Sequence, residues 1–490
     1  MMIHSFFKNL TQALGQVKLF SRDENEQTIE MTKNRNPDLT ARPVTTLIKQ
    51  LAIPASVGYF FNTMYNVVDT FFGGLISTQV LAALSLSLPV FFIIIAFGTG
   101  ISTGTTALIG NAIGAGNQEE AKLLAIQGVA FSVLLSIVLT FIGILSSPFL
   151  FSVLGASGEY METCLKYMNT IFFGTLLFML VFIFNAILNA QGDTVTFRNF
   201  LFAGFLLNIL LDPWFIYGGL GLPPFGVVGI ALATVLIQVI GCVYLGIRVW
   251  KTGLISECTL RHILPRGNPF LEIARQGFPA SINMMTLGIG VFVITYFISN
   301  FGKEAVAAYG VAMRVEQIVI IPAVGLNIAA LAIIAQNSGA KFMDRIEETL
   351  TQCMKIGGLL VAIGMIGVLI AAPYLMTIFS DSKPVVEIGT IYLRIDALVF
   401  YAYLILFIYV AAMQGMKKPM FAIWIGLYRQ LIAPFILFYV LIKIFDFGLT
   451  GIWWGIFSIA WSAALFTLFY TRRTLNKVKE VWAAKSSRLN

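Results

Sequence analysis

Charge is scarce in this sequence. Asp, Glu, Lys and Arg make up 11% of its 490 residues, against about 25% in a soluble globular chain. With a mean hydropathy of +0.85, a chain so poor in charge cannot present a polar surface to water on all sides and belongs in lipid. Histidine is nearly absent, with His4 and His262 alone, so a Ser–His or Cys–His nucleophilic centre within the membrane is excluded and no enzyme activity is expected. The four cysteines, Cys164, Cys242, Cys258 and Cys353, show no C-x-x-C spacing, which indicates neither a zinc site nor a disulfide framework. No metal centre and no cofactor are expected. The net charge of +8 would suit nucleic acid only on a basic face, and here the bases sit in short loops and tails.

What is present is a series of apolar runs long enough to cross a bilayer. They lie near 50–74, 79–106, 123–147, 165–189, 196–217 and 226–250, then near 270–299, 304–334, 352–379, 390–412, 420–443 and 449–471. The fold class expected is an all-α membrane protein of twelve transmembrane helices. Of the 32 lysines and arginines, only Lys166, Lys303, Lys383 and Lys443 fall in one set of alternate loops. By the positive-inside rule the other set, with both termini, is cytoplasmic, in the inner (plasma) membrane. The expected organisation is a cytoplasmic tail over 1–45, a first lobe over 46–251, a basic inter-lobe loop over 252–269, a second lobe over 270–473 and a C-terminal tail over 474–490. The segment from Met1 to Phe20 is mildly amphipathic and reads as a tail that can lie on a membrane surface, and Met31 is an alternative start.

One stretch breaks the apolar pattern. In Asn208-Ile-Leu-Leu-Asp-Pro213 the amide and the carboxylate are i and i+4, on one helix face roughly 6 Å apart along the axis. Pro213 cannot donate to the carbonyl of Ile209, so an acceptor is freed beside the acid and a bend is expected. An acid at bilayer depth costs several kcal/mol unless it faces a wet cavity or a partner, which makes it a functional candidate.

The chain also repeats itself. At an offset near 225, Pro54-Ala-Ser56 matches Pro279-Ala-Ser281, and Leu108 to Ala115 matches Ile333 to Ala340. Slightly smaller offsets bring Ala190-Gln-Gly192 onto Met413-Gln-Gly415 and Leu211-Asp-Pro213 onto Ile432-Ala-Pro434. Six spans separate equivalent residues, so the halves are parallel, related by a pseudo-twofold along the membrane normal. The departures are more informative. Asp69 maps onto Ile294, Asp212 onto Ala433 and Asn208 onto Arg429. Residues shared by both lobes serve folding, whereas acids confined to one lobe point to function.

At these residues the chain resembles the multidrug and toxic compound extrusion (MATE) family, in its DinF-type branch. The resemblance rests on Asn66-Val-Val-Asp-Thr-Phe71, Gly110-Asn-Ala-Ile-Gly-Ala-Gly116, Asn189-Ala-Gln-Gly-Asp193, Asn208 to Pro213 and Gly229-Ile-Ala-Leu-Ala-Thr234, in that order. It implies a secondary antiporter that exports amphipathic, mostly cationic small molecules in exchange for H⁺ or Na⁺ by alternating access. It further implies cation coupling at Asp69, Asn208, Asp212, Thr234 and Asn185.

Counting residues from the span ends places Asp69, Asp212 and Thr234 about 8 to 13 Å below the outer surface. Asn208 lies one turn deeper, while Asn185 falls close to the cytoplasmic surface and fits the group badly. Burial and like charge favour a neutral carboxyl, which suits proton carriage. The same oxygens, with an amide and a hydroxyl, suit a hard monovalent cation such as Na⁺. Both readings stay open, with one shared site preferred. Arg314, Glu316, Arg394, Asp396 and Arg429 are read as a buried ion network in the second lobe, with Arg394 close to Asp396. A lipid-linked oligosaccharide flippase and a membrane-embedded transferase are the alternatives. A monomer in the bilayer is expected.

Overall fold

The protein is described from a computed structural model, which places residues 38–219, 221–256 and 264–486. The amphipathic segment and the alternative start at Met31 lie outside the described residues.

The chain is helical in every expected span. The first lobe runs through α1 (Val44–Ile76), α2 (Thr78–Gly114), α3 (Gln118–Val153), α4 (Gly158–Phe173), α5 (Thr175–Ala190), α6 (Val195–Tyr217) and α7 (Val227–Lys251). The second comprises α8 (Gly267–Ser299), α9 (Lys303–Gly339), α10 (Met343–Thr377), α11 (Lys383–Ala397), α12 (Phe400–Gly415), α13 (Met420–Leu427), α14 (Ala433–Tyr439) and α15 (Gly448–Ser486). Span four is the pair α4–α5, bent by 48°, and span ten the pair α11–α12, bent by 49°. Span eleven runs from α13 through α14, with wide five-residue turns at Tyr428–Ile432 and Val440–Ile444.

Among the described residues, nine helical stretches and the two bent pairs are long and apolar enough to cross a bilayer. The twelfth crossing is α1, whose 33 residues reach about 50 Å at 1.5 Å per residue. It is less apolar because it carries Asn62, Thr63, Asn66 and Asp69. Apolar side chains point outward, as lipid demands: Phe149 is 69% and Ile370 73% exposed. The basic loops and the start of α1 share one end of the bundle, called here the basic side.

The bends in spans four and ten have different local settings. Span four breaks at Gly174, whose amide hydrogen-bonds the Thr170 carbonyl. Span ten breaks at Leu398 and Val399, where sequence offers no glycine or proline. Pro213 does not interrupt α6, which continues to Tyr217. Its counterpart Pro434 instead follows the wide turn that contains Arg429, a local underwinding of the kind found at functional positions.

Side-chain caps explain the tight connections on the basic side. Asn117 Oδ1 accepts from Glu120 N at 3.1 Å, and Asn117 Nδ2 donates to Glu120 Oε2 at 2.8 Å, closing the first turn of α3. Asp193 does the same for α6, its Oδ1 accepting from Thr196 N at 3.0 Å. The inner half of α1 is shared between the lobes: the Leu51 carbonyl accepts from Thr194 Oγ1 of the first lobe at 3.0 Å. Val44, Leu47, Ile48 and Leu51 join the hydrophobic core of the second lobe, while the outer half of α1 packs on α6.

Candidate functional site

The outer half of α1 brings Asp69 to the polar face of α6. Asn208 Nδ2 donates to Asp69 Oδ1 at 2.8 Å and to Asp212 Oδ1 at 3.0 Å. One amide therefore spans two acids, using both of its protons. Asn208 and Asp212 are fully buried, and Asp69 is half-buried. The i, i+4 spacing makes the second bond possible, and the packing of α1 on α6 makes the first.

Asn208 Oδ1 and Asp212 Oδ2 have no hydrogen-bond donor at this point, and the Tyr65 and Thr234 hydroxyls face each other. Burying such atoms unsatisfied costs about 1–3 kcal/mol each, and a native fold retains them where something else binds. Thr234 is buried on α7. It lies beside Tyr65, one turn before Asp69 on α1, and does not bond the carbonyl one turn below it. Tyr65 and Tyr167 lie within electrostatic reach of both Asp69 and Asp212. Carboxylate, amide, hydroxyl and phenol oxygens make an oxygen-only set that fits a proton or a hard monovalent cation. Sequence reading missed both tyrosines, although Tyr65 is i−4 to Asp69 and so on its face.

Asn185 is not part of this cluster's hydrogen bonds. It sits on α5, five residues before the basic-side end of that helix, and its own buried Oδ1 has no partner.

The five charges of the second lobe do not form one network, which corrects the sequence reading. Arg314 and Arg394 are exposed. Each is i−2 to an acid, Glu316 and Asp396, and residues two apart on a helix point to different faces. Asp396 is buried, and neither of its carboxylate oxygens has a hydrogen-bond partner. Arg394 therefore does not account for it. Glu316 Oε2 accepts from the Tyr392 hydroxyl at 3.4 Å. Arg429 faces inward, 5.5 Å from the centre of the Tyr403 ring. With the amide of Gln430 turned oxygen-first, Arg429 donates to it from Nε at 3.2 Å and Nη2 at 2.9 Å. Ile294, Arg429 and Pro434, counterparts of Asp69, Asn208 and Pro213, line one small cavity of about 30 Å³. The second lobe thus keeps the shape of the first lobe's polar point with a fixed cation in it and without its acids.

The MatE family profile matches this chain twice, over residues 54–214 and again over 279–440. The chain belongs to the MatE family. Family membership makes it a multi-pass transporter and not an enzyme, and the doubled match follows the internal repeat. Among its relatives, it is 28% identical to the probable multidrug resistance protein NorM of Thermotoga maritima, over 89% of this chain and 94% of that one. It is 24% identical to the multidrug export protein MepA of Staphylococcus aureus, over 88% and 95%. Among solved structures, a MOP superfamily transporter from Pyrococcus furiosus superimposes with a TM-score of 0.85 at 26% identity, covering 91% of this chain and 99% of that one. A multidrug resistance MATE family transporter described as outward-facing gives 0.84 at 26% identity, with the same coverage. These MatE structures share the twelve-helix, two-lobe fold.

Proposed function

We propose that this MatE protein is a cation-coupled exporter of amphipathic, mostly cationic small molecules. In this reading it works by alternating access, with the coupling ion carried by Asp69, Asn208 and Asp212 of the first lobe. The observation that carries the reading is the single Asn208 amide shared between two acids that the second lobe lacks. The two acid side chains lie in direct contact, and like unit charges about 4 Å apart repel by about 4 kcal/mol at an effective dielectric of 20. A proton or Na⁺ taken up at the pair removes that repulsion, and its release restores it. The ion and a cationic substrate then exclude one another electrostatically, which is the requirement of exchange. The names of the relatives, a multidrug resistance protein and a multidrug export protein, support the substrate class. The DinF-type resemblance supports coupling in the first lobe.

The buried Asp396 gives a second reading, an additional ion position in the second lobe, favoured by its two unpartnered oxygens. The excess of Lys and Arg on one side supports insertion in the plasma membrane with both termini cytoplasmic. The test is export of a fluorescent cationic dye from proteoliposomes under an imposed H⁺ or Na⁺ gradient. The proposal expects gradient-driven export, and no response to either gradient would contradict it.

A further inference from the structure

At the basic side the two lobes are joined by amides that reach across to helix-end carbonyls. Asn111 Nδ2 donates to the Gly415 carbonyl at 2.8 Å, and Gln336 Nε2 donates to the Ala190 carbonyl at 2.7 Å. The two amides are repeat equivalents, 225 residues apart, near the ends of α2 and α9. Their acceptors close the two bent spans, α12 and α5. Each lobe therefore offers one amide to the bent span of the other. Both amides are buried, 8% and 4% exposed. Three residues further on in each helix, Gly114 lies against the carbonyl of Gln336 and Gly339 against that of Asn111, with no room for a Cβ on either.

A second reciprocal pair lies beside the first. The lead-in to α1 is held by the second lobe. Asn337 Nδ2 donates to the Leu39 carbonyl at 3.0 Å, and Arg345 Nη2 donates to the carbonyls of Leu39 and Arg42 at 3.2 and 2.6 Å. The lead-in to α8 is held by the first lobe, where Gln127 Nε2 donates to the Leu264 carbonyl and its Oε1 accepts from Arg266 N, both at 2.9 Å. Leu39 and Leu264 are again 225 apart, yet the side chains that hold them differ. The bond is repeated where the residue is not.

Carbonyls in the last turn of a helix have no intrahelical partner. Water replaces an amide there when two bodies separate, so such a bond is specific when closed and readily given up. We propose that these four cross-lobe clamps form the inner gate of the transport cycle. They hold the lobes together on the basic side and break together when the molecule opens to that side, with Asn111 and Gln336 as the positioning residues. The Asp69–Asn208–Asp212 cluster sits in the opposite half, within one lobe, and makes none of these bonds. The inference rests on the alternating-access reading above.

The test uses the full chain in proteoliposomes with Cys164, Cys242, Cys258 and Cys353 replaced by serine. In one arm, Gly110→Cys with Ala335→Cys, one residue before each amide and with β-carbons facing each other across the lobes, is oxidised. The gate account expects a cross-link that stops dye export and a reducing agent that restores it. A cross-link with export unaffected overturns the account, as does failure of the resting protein to cross-link. In the other arm, Ser281→Cys, buried against Phe97 of the facing lobe, reports opening through maleimide labelling from the basic side. Loss of two cross-lobe hydrogen bonds in Asn111→Ala with Gln336→Ala is expected to raise its labelling rate roughly tenfold. Unchanged labelling in a folded double variant overturns the gate. If the parent protein exports no dye under any gradient, the transport reading falls, while the labelling arm still decides the gate.

Discussion

Asn208 Nδ2 lies 2.8 Å from Asp69 Oδ1 although 139 residues separate them. The same nitrogen holds Asp212 at 3.0 Å, so no donor remains on this amide for a third group. Replacing it with leucine leaves two acids without their common donor. Each hydrogen bond to a charged group is worth about 1.5–3 kcal/mol. Asn208→Leu is therefore expected to lower the melting temperature in detergent and to abolish coupling. Adding Asp69→Asn, which restores a donor and removes a charge, is expected to recover part of the stability. Equal losses in the single and double variants would show that Asn208 does not act through Asp69.

Tyr65 offers a milder probe. Its buried hydroxyl faces Thr234 and lies within electrostatic reach of both acids. Tyr65→Phe keeps the ring and its packing, so the fold is expected to survive unchanged. Affinity for the coupling ion is expected to fall about tenfold, the equivalent of 1.4 kcal/mol for one lost ligand or donor. Ion titrations of dye export in Tyr65→Phe against the parent measure this, and an unaltered midpoint would remove Tyr65 from the site.

In the second lobe the three arginines are expected to separate. Arg314 and Arg394 are exposed, and surface substitutions of this kind change stability by within about 0.5 kcal/mol. Arg429 faces inward, with Tyr403 and Gln430 against it. It also lies within electrostatic reach of Glu316, so its removal takes away a compensating charge from that acid as well as its contacts with Tyr403 and Gln430. Thermal unfolding in detergent should therefore single out Arg429→Ala, while Arg314→Ala and Arg394→Ala melt with the parent. Three equal melting temperatures would contradict this placement.

Sequence made the architecture legible because lipid imposes long apolar runs and the repeat imposes parallel halves. It also made Asp69, Asn208 and Asp212 legible together, since depth counting and i, i+4 spacing both act along single helices. What it could not show depends on contacts between helices. Arg394 is near Asp396 in sequence yet on another face, and Tyr65 and Tyr167 look like ordinary apolar-helix tyrosines until α1, α4 and α6 are assembled. The bend at Leu398 carries no glycine or proline to announce it. Asn111 and Gln336 were visible as repeat partners, but their cross-lobe acceptors are main-chain carbonyls, which have no sequence signature.

The central claim is that substrate and coupling ion compete through the acids bridged by Asn208. The most direct measurement is ion release on adding a cationic substrate to detergent-solubilised protein in weakly buffered solution, followed with a pH indicator and a sodium indicator. The account predicts release of H⁺ or Na⁺ from the parent protein and its loss in Asp69→Asn with Asp212→Asn, which still binds substrate. Release of the same ion, undiminished, from the double variant would contradict it.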